Sequence, residues 1–392
     1  MKRMAVLGGI SVLAMATSLL AQQQAQHVAQ AKSTNAQRTE VGITVYNQNF
    51  GLVREVRDID MPAGRTSLEF ADVSQSIEPN TVAIKSLGGQ LHVLEQNYRY
   101  DLLSPQKLLE KYVGKKVKIY RWNEHTGRDD VYDAEVLSVS QGTVMRINGE
   151  ITYDFPGRIA FPSIPDNLIA KPTLVWLVDG SGKQKVEVTY LTQNLGWSAD
   201  YVLVMNEADT GGDLVGWVTL TNNTGTTYAN ANLKLVAGDV QRVARGYTRT
   251  ADVPAAAPTG GSAGFHEESF FEYHLYTLQR PTNLLNAEQK QVTLLEAHDI
   301  HVQKKLIFYG AAYYYRGNYG QVMSNQKVGV YLDIQNSEAN HMGMPLPKGT
   351  VRVYKADKSG AKQFIGEDNI DHTPRDEKVR GKIVKIACKK CG

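Results

Sequence analysis

The sequence predicts an all-β protein with mainly antiparallel strands, built as a β-sandwich with a small SH3-like barrel subdomain and one short helix. Segments such as 185–191 and 328–334 alternate apolar and polar residues, and this period of two is typical of strands with one buried face. Turn sequences separate the predicted strands. Asn148-Gly149 is a strong hairpin signal because both residues tolerate positive φ, and 179–182 (Asp-Gly-Ser-Gly) is expected to join two strands.

One helix interrupts the strands. Ser104 is placed to cap it, Pro105 suits its first turn, Tyr112 belongs to its apolar stripe, and Gly114 ends it. Five short strands are predicted to follow at 115–120, 131–139, 143–147, 150–153 and 158–161. Their close spacing favours a small SH3-like barrel, and the alternative is that they extend the main sheet. The apolar run at 201–205 predicts a strand covered on both faces.

These signals predict an order of segments along the chain. We expect a flexible spacer rich in Gln and Ala at 22–40, then an N-terminal β region with the short helix at 41–112. The small barrel follows at 113–165. A β-sandwich domain then occupies 166–392, interrupted by a disordered linker at 251–264 that is rich in Pro, Ala and Gly.

The first residues have the layout of a secretory signal peptide. Lys2 and Arg3 precede an almost charge-free apolar run at 5–20, and Ala21 supplies a small residue for cleavage. We therefore expect a signal peptide at 1–21 and an exported protein, either periplasmic or extracellular. The alternative is a retained membrane anchor, although a spanning helix needs about 20 apolar residues. Sequence alone predicts no transmembrane segment in the mature chain.

Composition narrows the classes of function. The chain has 392 residues, a formal net charge of +3 and 42% hydrophobic residues, as expected of a folded protein with real cores. The nearly neutral charge provides no electrostatic surface for nucleic acid, so we expect no nucleic-acid partner.

The two cysteines, Cys388 and Cys391, lie at the end of the chain. The fold therefore cannot rest on a framework of disulfides. We also expect neither a cofactor nor a metal.

Two longer stretches carry a family resemblance. One comprises 174–178 (Leu-Val-Trp-Leu-Val) and 190–201 (Tyr-Leu-Thr-Gln-Asn-Leu-Gly-Trp-Ser-Ala-Asp-Tyr). The other comprises 347–354 (Pro-Lys-Gly-Thr-Val-Arg-Val-Tyr) and 366–378 (Gly-Glu-Asp-Asn-Ile-Asp-His-Thr-Pro-Arg-Asp-Glu-Lys). Together they resemble an uncharacterised bacterial family known as domain of unknown function 4139, with mucoidy-inhibitor-like relatives. The resemblance implies a β-rich exported protein and transfers no catalytic residue.

The sequence departs from that family after residue 378. In the family the strand-rich region continues, so this chain resembles a C-terminally truncated copy. On that basis the strands at 328–334 and 350–354 are expected to lack partners, because the segment 382–386 is short and charged. Exposed strand edges favour pairing with other chains, and we therefore expect this form to self-associate.

Motifs for catalysis and metal binding are incomplete. Ser198 lies in a Gly-Trp-Ser-Ala-Asp string that lacks the final Gly of a nucleophile elbow, and Ser104 in Ser-Pro-Gln-Lys is better explained as a helix cap. The segment 266–268 lacks the second His of a zinc-protease motif. His298 and His301 are three residues apart, a spacing that places them on opposite faces of a regular strand.

Two clusters remain as candidate binding sites. The first is a group of tyrosines, which are rigid and amphipathic and so suit an exposed binding surface: Tyr309, Tyr313, Tyr314, Tyr315 and Tyr319. The alternative is a strand whose tyrosines border the core. The second is an acidic group that could hold Ca²⁺ or could form a turn: Glu367, Asp368, Asp371 and His372.

The sequence therefore favours an exported, β-rich cell-envelope protein that acts by binding or scaffolding, with an envelope glycan or envelope protein as partner. The alternative is a hydrolase of an envelope polymer, glycan or peptide, that uses carboxylates in the sandwich. A deep cleft with two facing carboxylates would favour the hydrolase, and a convex sandwich with surface tyrosines would favour the binding protein.

Overall fold

The computed structural model describes residues 28–165, 168–238, 240–242, 265–270, 273–308 and 327–387. Strands dominate this part of the chain, which contains one α-helix and three short 3₁₀ helices, so the all-β prediction is confirmed. No helix within it is long and apolar enough to cross a membrane. The predicted signal peptide at 1–21, the predicted linker at 251–264 and the two cysteines lie outside the described residues.

The described elements are as follows. The helix is α1 (Pro105–Lys111), and the 3₁₀ helices are Asn35–Gln37, Pro79–Thr81 and Glu338–Asn340. The strands are β1 (Ala29–Ser33), β2 (Arg38–Tyr46), β3 (Phe50–Ala71), β4 (Ala83–Ser86), β5 (Leu91–Arg99), β6 (Lys116–Asn123), β7 (Arg128–Ser138), β8 (Val144–Ile147), β9 (Glu150–Tyr153), β10 (Arg158–Ala160), β11 (Thr173–Gln193), β12 (Leu195–Met205), β13 (Gly211–Asn222), β14 (Tyr228–Ala237), β15 (Phe265–Phe270), β16 (Tyr273–Leu278), β17 (Thr282–Leu284), β18 (Glu288–Ile307), β19 (Lys327–Gln335), β20 (Gly349–Ala356), β21 (Lys362–Ile370) and β22 (Lys378–Ala387).

The chain folds into two compact units, each assembled from separated stretches. The first unit contains the described residues up to Arg38 together with 57–73 and 85–186, and the second contains the remainder. The sequence instead predicted consecutive segments. The difference arises because β3 and β11 are 22 and 21 residues long, so that each contributes residues to both units.

The first unit contains the predicted helix and the five strands that follow it. Ser104 caps α1 by accepting a hydrogen bond from the Lys107 backbone N–H at 3.2 Å. The strands form a separate antiparallel sheet in the order β10-β6-β7-β8-β9, so they do not extend a larger sheet. Asn148 and Gly149 form the predicted turn between β8 and β9, with φ of 50° and 87°.

Two local predictions for this unit are wrong. The predicted turn at 179–182 is part of β11, which continues through it because Val178, Asp179 and Gly180 pair with β5. The predicted spacer at 22–40 contains β1, which pairs in parallel with residues 66–70 of β3. In both places pairing with a distant strand satisfies the backbone, and local composition does not reveal such a partner.

A buried arginine connects β1 with β3. The Arg57 side chain is fully buried, and it donates to the carbonyls of Ser33 and Ala71 and to the side chain of Asn35. Its guanidinium carbon lies 3.5 Å from the centroid of the Phe70 ring. Carbonyl acceptors and the aromatic face together compensate for the charge that is removed from water.

The second unit is a sandwich of two sheets. One has seven strands in the order β21-β20-β12-β13-β18-β19-β22, and strands β14, β16, β15 and the 39–56 stretch contribute to the other. Trp197 of the seven-stranded sheet donates to the Val236 carbonyl of β14 at 3.3 Å and packs edge-on against Tyr276 of β16. Most pairs are antiparallel, although β12 pairs with β20 and β14 pairs with β2 in parallel.

The run at 201–205 is covered on one face, which corrects the prediction of burial on both. Tyr201, Leu203 and Met205 are buried, whereas Val202 and Val204 are only partly buried. Valine therefore occupies the outer face of β12, where its branched side chain suits a pleated surface.

The end of the described chain also differs from the prediction. β19 pairs with β18 on one side and with β22 on the other, and β20 pairs with β12 and with β21. The expected unpaired edges at 328–334 and 350–354 are therefore absent. The segment judged too short, 382–386, belongs to the ten-residue strand β22.

The two outer strands of this sheet approach each other, at a contact that we call the β21–β22 seam and define by Gly366, Asp368, Lys382 and Ile383. The Lys382 backbone N–H donates to the Asp368 carboxylate at 2.6 Å. A Cβ added to Gly366 would clash with the Ile383 carbonyl oxygen. The backbones are therefore so close at the seam that only glycine fits at position 366.

Candidate functional site

The tyrosine cluster predicted as a binding surface lies outside the described residues, since Tyr309, Tyr313, Tyr314, Tyr315 and Tyr319 all fall between β18 and β19. The acidic cluster is described, and its members are engaged separately. Glu367 forms an ion pair with Arg352 at 3.2 Å, and Asp368 accepts the hydrogen bond at the seam.

The other two members of the acidic cluster lie in the loop after β21. Asp371 is exposed, and His372 accepts a hydrogen bond from the Lys348 backbone N–H through Nδ1 at 3.2 Å. Within the described ranges no three His, Cys, Asp or Glu side chains are placed to hold one metal ion. A loop fixed by its own hydrogen bonds accounts for this stretch.

The two histidines of β18 are arranged differently from the prediction. Asp299 has a φ of 52° and lies in a bulge, since Ala297 pairs with Leu214 whereas Ile300 pairs with Gly212. The extra residue shifts the alternation by one position, so that His298 and His301 are both exposed while Ile300 between the bulge and His301 is buried. A regular strand would have separated the two rings, which is why the spacing argument failed.

The candidate nucleophiles are structural. Ser198 lies in the middle of β12 and is exposed, without the strand-to-helix turn that a nucleophile elbow requires. Ser104 is the helix cap described above. Neither serine has a base or an oxyanion-binding group beside it in the hydrogen bonds of the described chain.

A pocket opens at one end of the seven-stranded sheet, and we call it the end pocket. Its volume is about 340 Å³, within the range typical of small-molecule sites. Six strands (β12, β18, β19, β20, β21 and β22) contribute to its wall. Its apolar lining consists of Met205, Leu306, Val330, Leu332, Ile365 and Ile383.

Strand register explains why these side chains converge. Leu306 pairs with Val330, and two residues further along both strands Lys304 pairs with Leu332. Side chains on paired residues share a face of the sheet, and this face continues into the buried core through Val302. The end pocket is therefore the open end of the core. Leu306 is 62% exposed although it lies on the inward face.

Three charged side chains complete the wall. Lys304 and Lys355 both bind the carboxylate of Asp209, with Lys304 Nζ 2.8 Å from Oδ2 and Lys355 Nζ in contact with Oδ1. Lys355 also donates to the carbonyl of Glu207 at 2.9 Å. The hydrogen bonds from Lys304 and then from Lys355 lower the pKa of Asp209 below its ordinary value. The wall therefore carries two cations and one anion.

A turn held by hydrogen bonds positions Asp209. The Asn206 backbone N–H bonds to the Gly211 carbonyl, and the Asn206 side chain accepts from the Thr210 N–H at 3.1 Å. Asp209 itself has a φ of 60°, a left-handed conformation that Asp tolerates. The turn between β12 and β13 thus directs its carboxylate towards the two lysines.

A second cavity of about 250 Å³ lies beside the loop after β19. Glu296, Glu338 and His341 contribute polar groups to its wall. The buried Asn336 side chain holds this loop by donating to the Met344 carbonyl at 2.9 Å and accepting from the Gly343 N–H. We call this the loop cavity.

Sequence reasoning missed the end pocket, although a signal for it exists. In 302–306 (Val-Gln-Lys-Lys-Leu) the period of two places Lys304 on the face of Val302 and Leu306. In 351–355 it likewise places Lys355 on the face of Val351 and Val353. A lysine at a position where the pattern requires an apolar residue is unusual unless it serves a function.

No family model matches this sequence, and no curated protein matches it. The resemblance to domain of unknown function 4139 therefore stays a prediction.

Proposed function

We propose that this protein is an exported, non-enzymatic binding protein of the cell envelope, and that its ligand occupies the end pocket. The observation that carries the proposal is an open pocket of about 340 Å³ whose wall is largely apolar and whose few charged groups converge at one place. Such a combination of apolar lining and sparse polar groups is characteristic of ligand-binding sites.

The exposure of Leu306 supports this proposal. A leucine on the inward face of a sheet normally contributes to the core, because burying it stabilises the fold by about 1.5–3 kcal/mol. Here 62% of it is exposed at the pocket. A bound ligand with apolar surface would cover Leu306 and recover that stabilisation as binding energy.

Export and family membership belong to the same proposal. Its support is the N-terminal layout of Lys2, Arg3 and the apolar run at 5–20. The stretches that resemble domain of unknown function 4139 lie on β11, β12, β20 and β21 and in the loop after β21, and three of these strands contribute residues to the end pocket. Intact-mass measurement of exported protein tests the cleavage, since a chain still beginning at Met1 would contradict it.

The loop cavity favours a second candidate function, a hydrolase of an envelope polymer. Glu296 and Glu338 line one cavity, and glycoside hydrolysis uses two carboxyl groups that face the substrate. Glu338, however, forms an ion pair with Arg375 at 2.8 Å. If the cavity is catalytic, Glu296→Gln abolishes release of reducing ends from envelope polysaccharide; absence of release by the unmodified protein contradicts this candidate.

The experiment for the binding function uses the neutral fluorophore N-phenyl-1-naphthylamine, whose emission rises in apolar surroundings. We expect saturable binding with one site per chain. The variant Leu306→Glu should weaken binding by about tenfold or more, because it places a second carboxylate in the pocket where the fluorophore must lie. Since Leu306 is largely exposed, this change should leave the fold intact.

The matched control is Ile151→Glu. Ile151 is 66% exposed on β9, so the substitution adds the same charge at a site with similar exposure and far from the end pocket in sequence. We expect unchanged fluorophore binding. Equal loss of binding in the two variants, or no saturable binding by the unmodified protein, would contradict the proposed function.

A further inference from the structure

The lysines of the end pocket lie where the strand pattern requires apolar residues. Lys304 pairs with Leu332 on the inward face, and Lys355 pairs with Met205 on the same face. Their side chains are 43% and 29% exposed, so each ammonium lies at the rim while its stem lines the pocket. The pocket therefore has an apolar interior and a cationic rim.

The rim is not neutral. Among the residues that the structure describes, Asp209 is the one acidic side chain in the wall of the end pocket, and it faces two ammonium groups. One positive charge therefore remains in excess. An ammonium has three N–H donors; Lys304 directs one to Asp209, and Lys355 directs one to Asp209 and one to the Glu207 carbonyl. Donors remain for another anion without displacing Asp209.

The volume limits the size of the apolar part. The end pocket, at about 340 Å³, lies near the lower end of the volumes typical of small-molecule sites, so the apolar part of a ligand that it holds is short. We propose that the ligand of the end pocket is an amphiphile with one anionic head group and a short apolar chain. The head group binds Lys304 and Lys355, and the chain lies against Leu306, Leu332 and Ile383. This inference rests on the proposed function and names its ligand class.

The test compares three amphiphiles with the same ten-carbon chain by titration calorimetry on the full mature chain. Decanoate carries an anionic head group, decanol a neutral one and decylamine a cationic one. We expect one decanoate per chain, bound about tenfold more tightly than decanol and more tightly still than decylamine. Because the head-group contact is partly exposed, raising the salt concentration should weaken decanoate binding and leave decanol binding unchanged. Decyl phosphate in a fourth titration separates a carboxylate ligand from a phosphate one.

Variants locate the head group. The double substitution Lys304→Met and Lys355→Met keeps apolar stems of similar length, and we expect it to remove the preference for decanoate over decanol. The control is Lys378→Met, which removes one lysine from the opposite end of β22 and should leave all affinities unchanged. If the double variant does not fold, the salt dependence and the head-group order measured on the unmodified chain still decide the question.

The outcomes separate the two proposals. Equal binding of the three amphiphiles, or preference for decylamine, overturns the anionic head group while the binding function stands. If the double variant still binds decanoate more tightly than decanol, the head group lies elsewhere, and this result also overturns the inference. Failure of decanoate, decanol and the neutral fluorophore to bind overturns both proposals.

Discussion

Asp333→Asn should destabilise the seven-stranded sheet at its β18–β19–β22 face. The Asp333 side chain is only 1% exposed, although it lies on the face of the sheet opposite to the end pocket. Arg380 binds it through Nε at 2.7 Å and Nη2 at 2.9 Å, and Lys305 Nζ lies at 2.8 Å. The hydrogen bond from Arg380, and then that from Lys305, lower the pKa of Asp333 well below its ordinary value.

The magnitude follows from these three contacts. A hydrogen bond to a charged group contributes about 1.5–3 kcal/mol and a neutral one about 0.5–1.5 kcal/mol, so loss of the charge weakens each contact by about 1 kcal/mol. The asparagine NH₂ also faces the two cations. Because Arg380 is 44% exposed and Lys305 34% exposed, water compensates in part, and we expect a loss of about 2–3 kcal/mol. Urea unfolding at pH 7 measures it.

The control is Asp376→Asn. Asp376 also lies near an arginine, at 3.6 Å from Arg375, but it is 70% exposed. Exposed pairs contribute about 0–1 kcal/mol, so this variant should unfold almost as the unmodified protein does. A loss for Asp333→Asn no larger than that for Asp376→Asn would refute the reasoning.

The pH dependence gives a second check on Asp333. Its pKa is lowered on folding, so the unfolded chain takes up a proton at higher pH than the folded chain does. The stabilisation is therefore present in full above about pH 5 and is lost progressively as the pH falls below it. The difference in unfolding free energy between the unmodified protein and Asp333→Asn should shrink over that interval. A constant difference from pH 7 to pH 3 would show that the carboxylate charge is not its source.

Three further substitutions test other contacts. Gly366→Ala should lower the free energy of unfolding by about 1–3 kcal/mol in urea titrations, since its Cβ would meet the Ile383 carbonyl oxygen, whereas Gly88→Ala, with no atom within 4 Å, should not. Ser104→Ala should cost about 1 kcal/mol and speed amide hydrogen exchange in α1, because the Lys107 N–H loses its acceptor; unchanged exchange there would contradict the cap. Arg57→Met should lower the free energy of unfolding by about 3–5 kcal/mol, because it leaves buried carbonyls without a donor. The thermal midpoint should therefore fall strongly, and a midpoint within the error of the unmodified protein would exclude that role.

Local signals in the sequence predicted the elements that depend on local chemistry. Ser104 and Pro105 define the start of α1, and Asn148-Gly149 forms a two-residue turn, because caps and tight turns are determined by the residues that form them. Strands with a clear period of two, such as 328–334, were also found, as β19. These features need no knowledge of which strand lies next to which.

Predictions that depended on distant pairing failed. Residues 179–182 have the composition of a turn, yet they belong to β11 because β5 lies alongside. His298 and His301 lie on one face because of a bulge that is defined by pairing with β13. The end pocket required the same knowledge, since Lys304, Lys355 and Asp209 come from separate parts of the chain and meet only when β12, β18 and β20 are placed in one sheet.

The prediction for β22 is wrong because it considered the number of charges along the segment and did not consider on which face of a strand they lie. The sequence predicted that 382–386 is too short and too charged to replace the strands expected to be missing. In the structure Arg380 and Lys382 lie on one face of β22, where Arg380 binds Asp333 and the Lys382 ammonium lies 5.6 Å from the centroid of the Tyr331 ring. The other face carries Val379 and Ile383, which contribute to the core and to the end pocket. The same strand thus supplies the cation that stabilises the outer face and an apolar wall for the proposed ligand. Asp333→Asn and the decanoate titrations therefore test opposite faces of one strand, and we expect Asp333→Asn to leave decanoate binding unchanged.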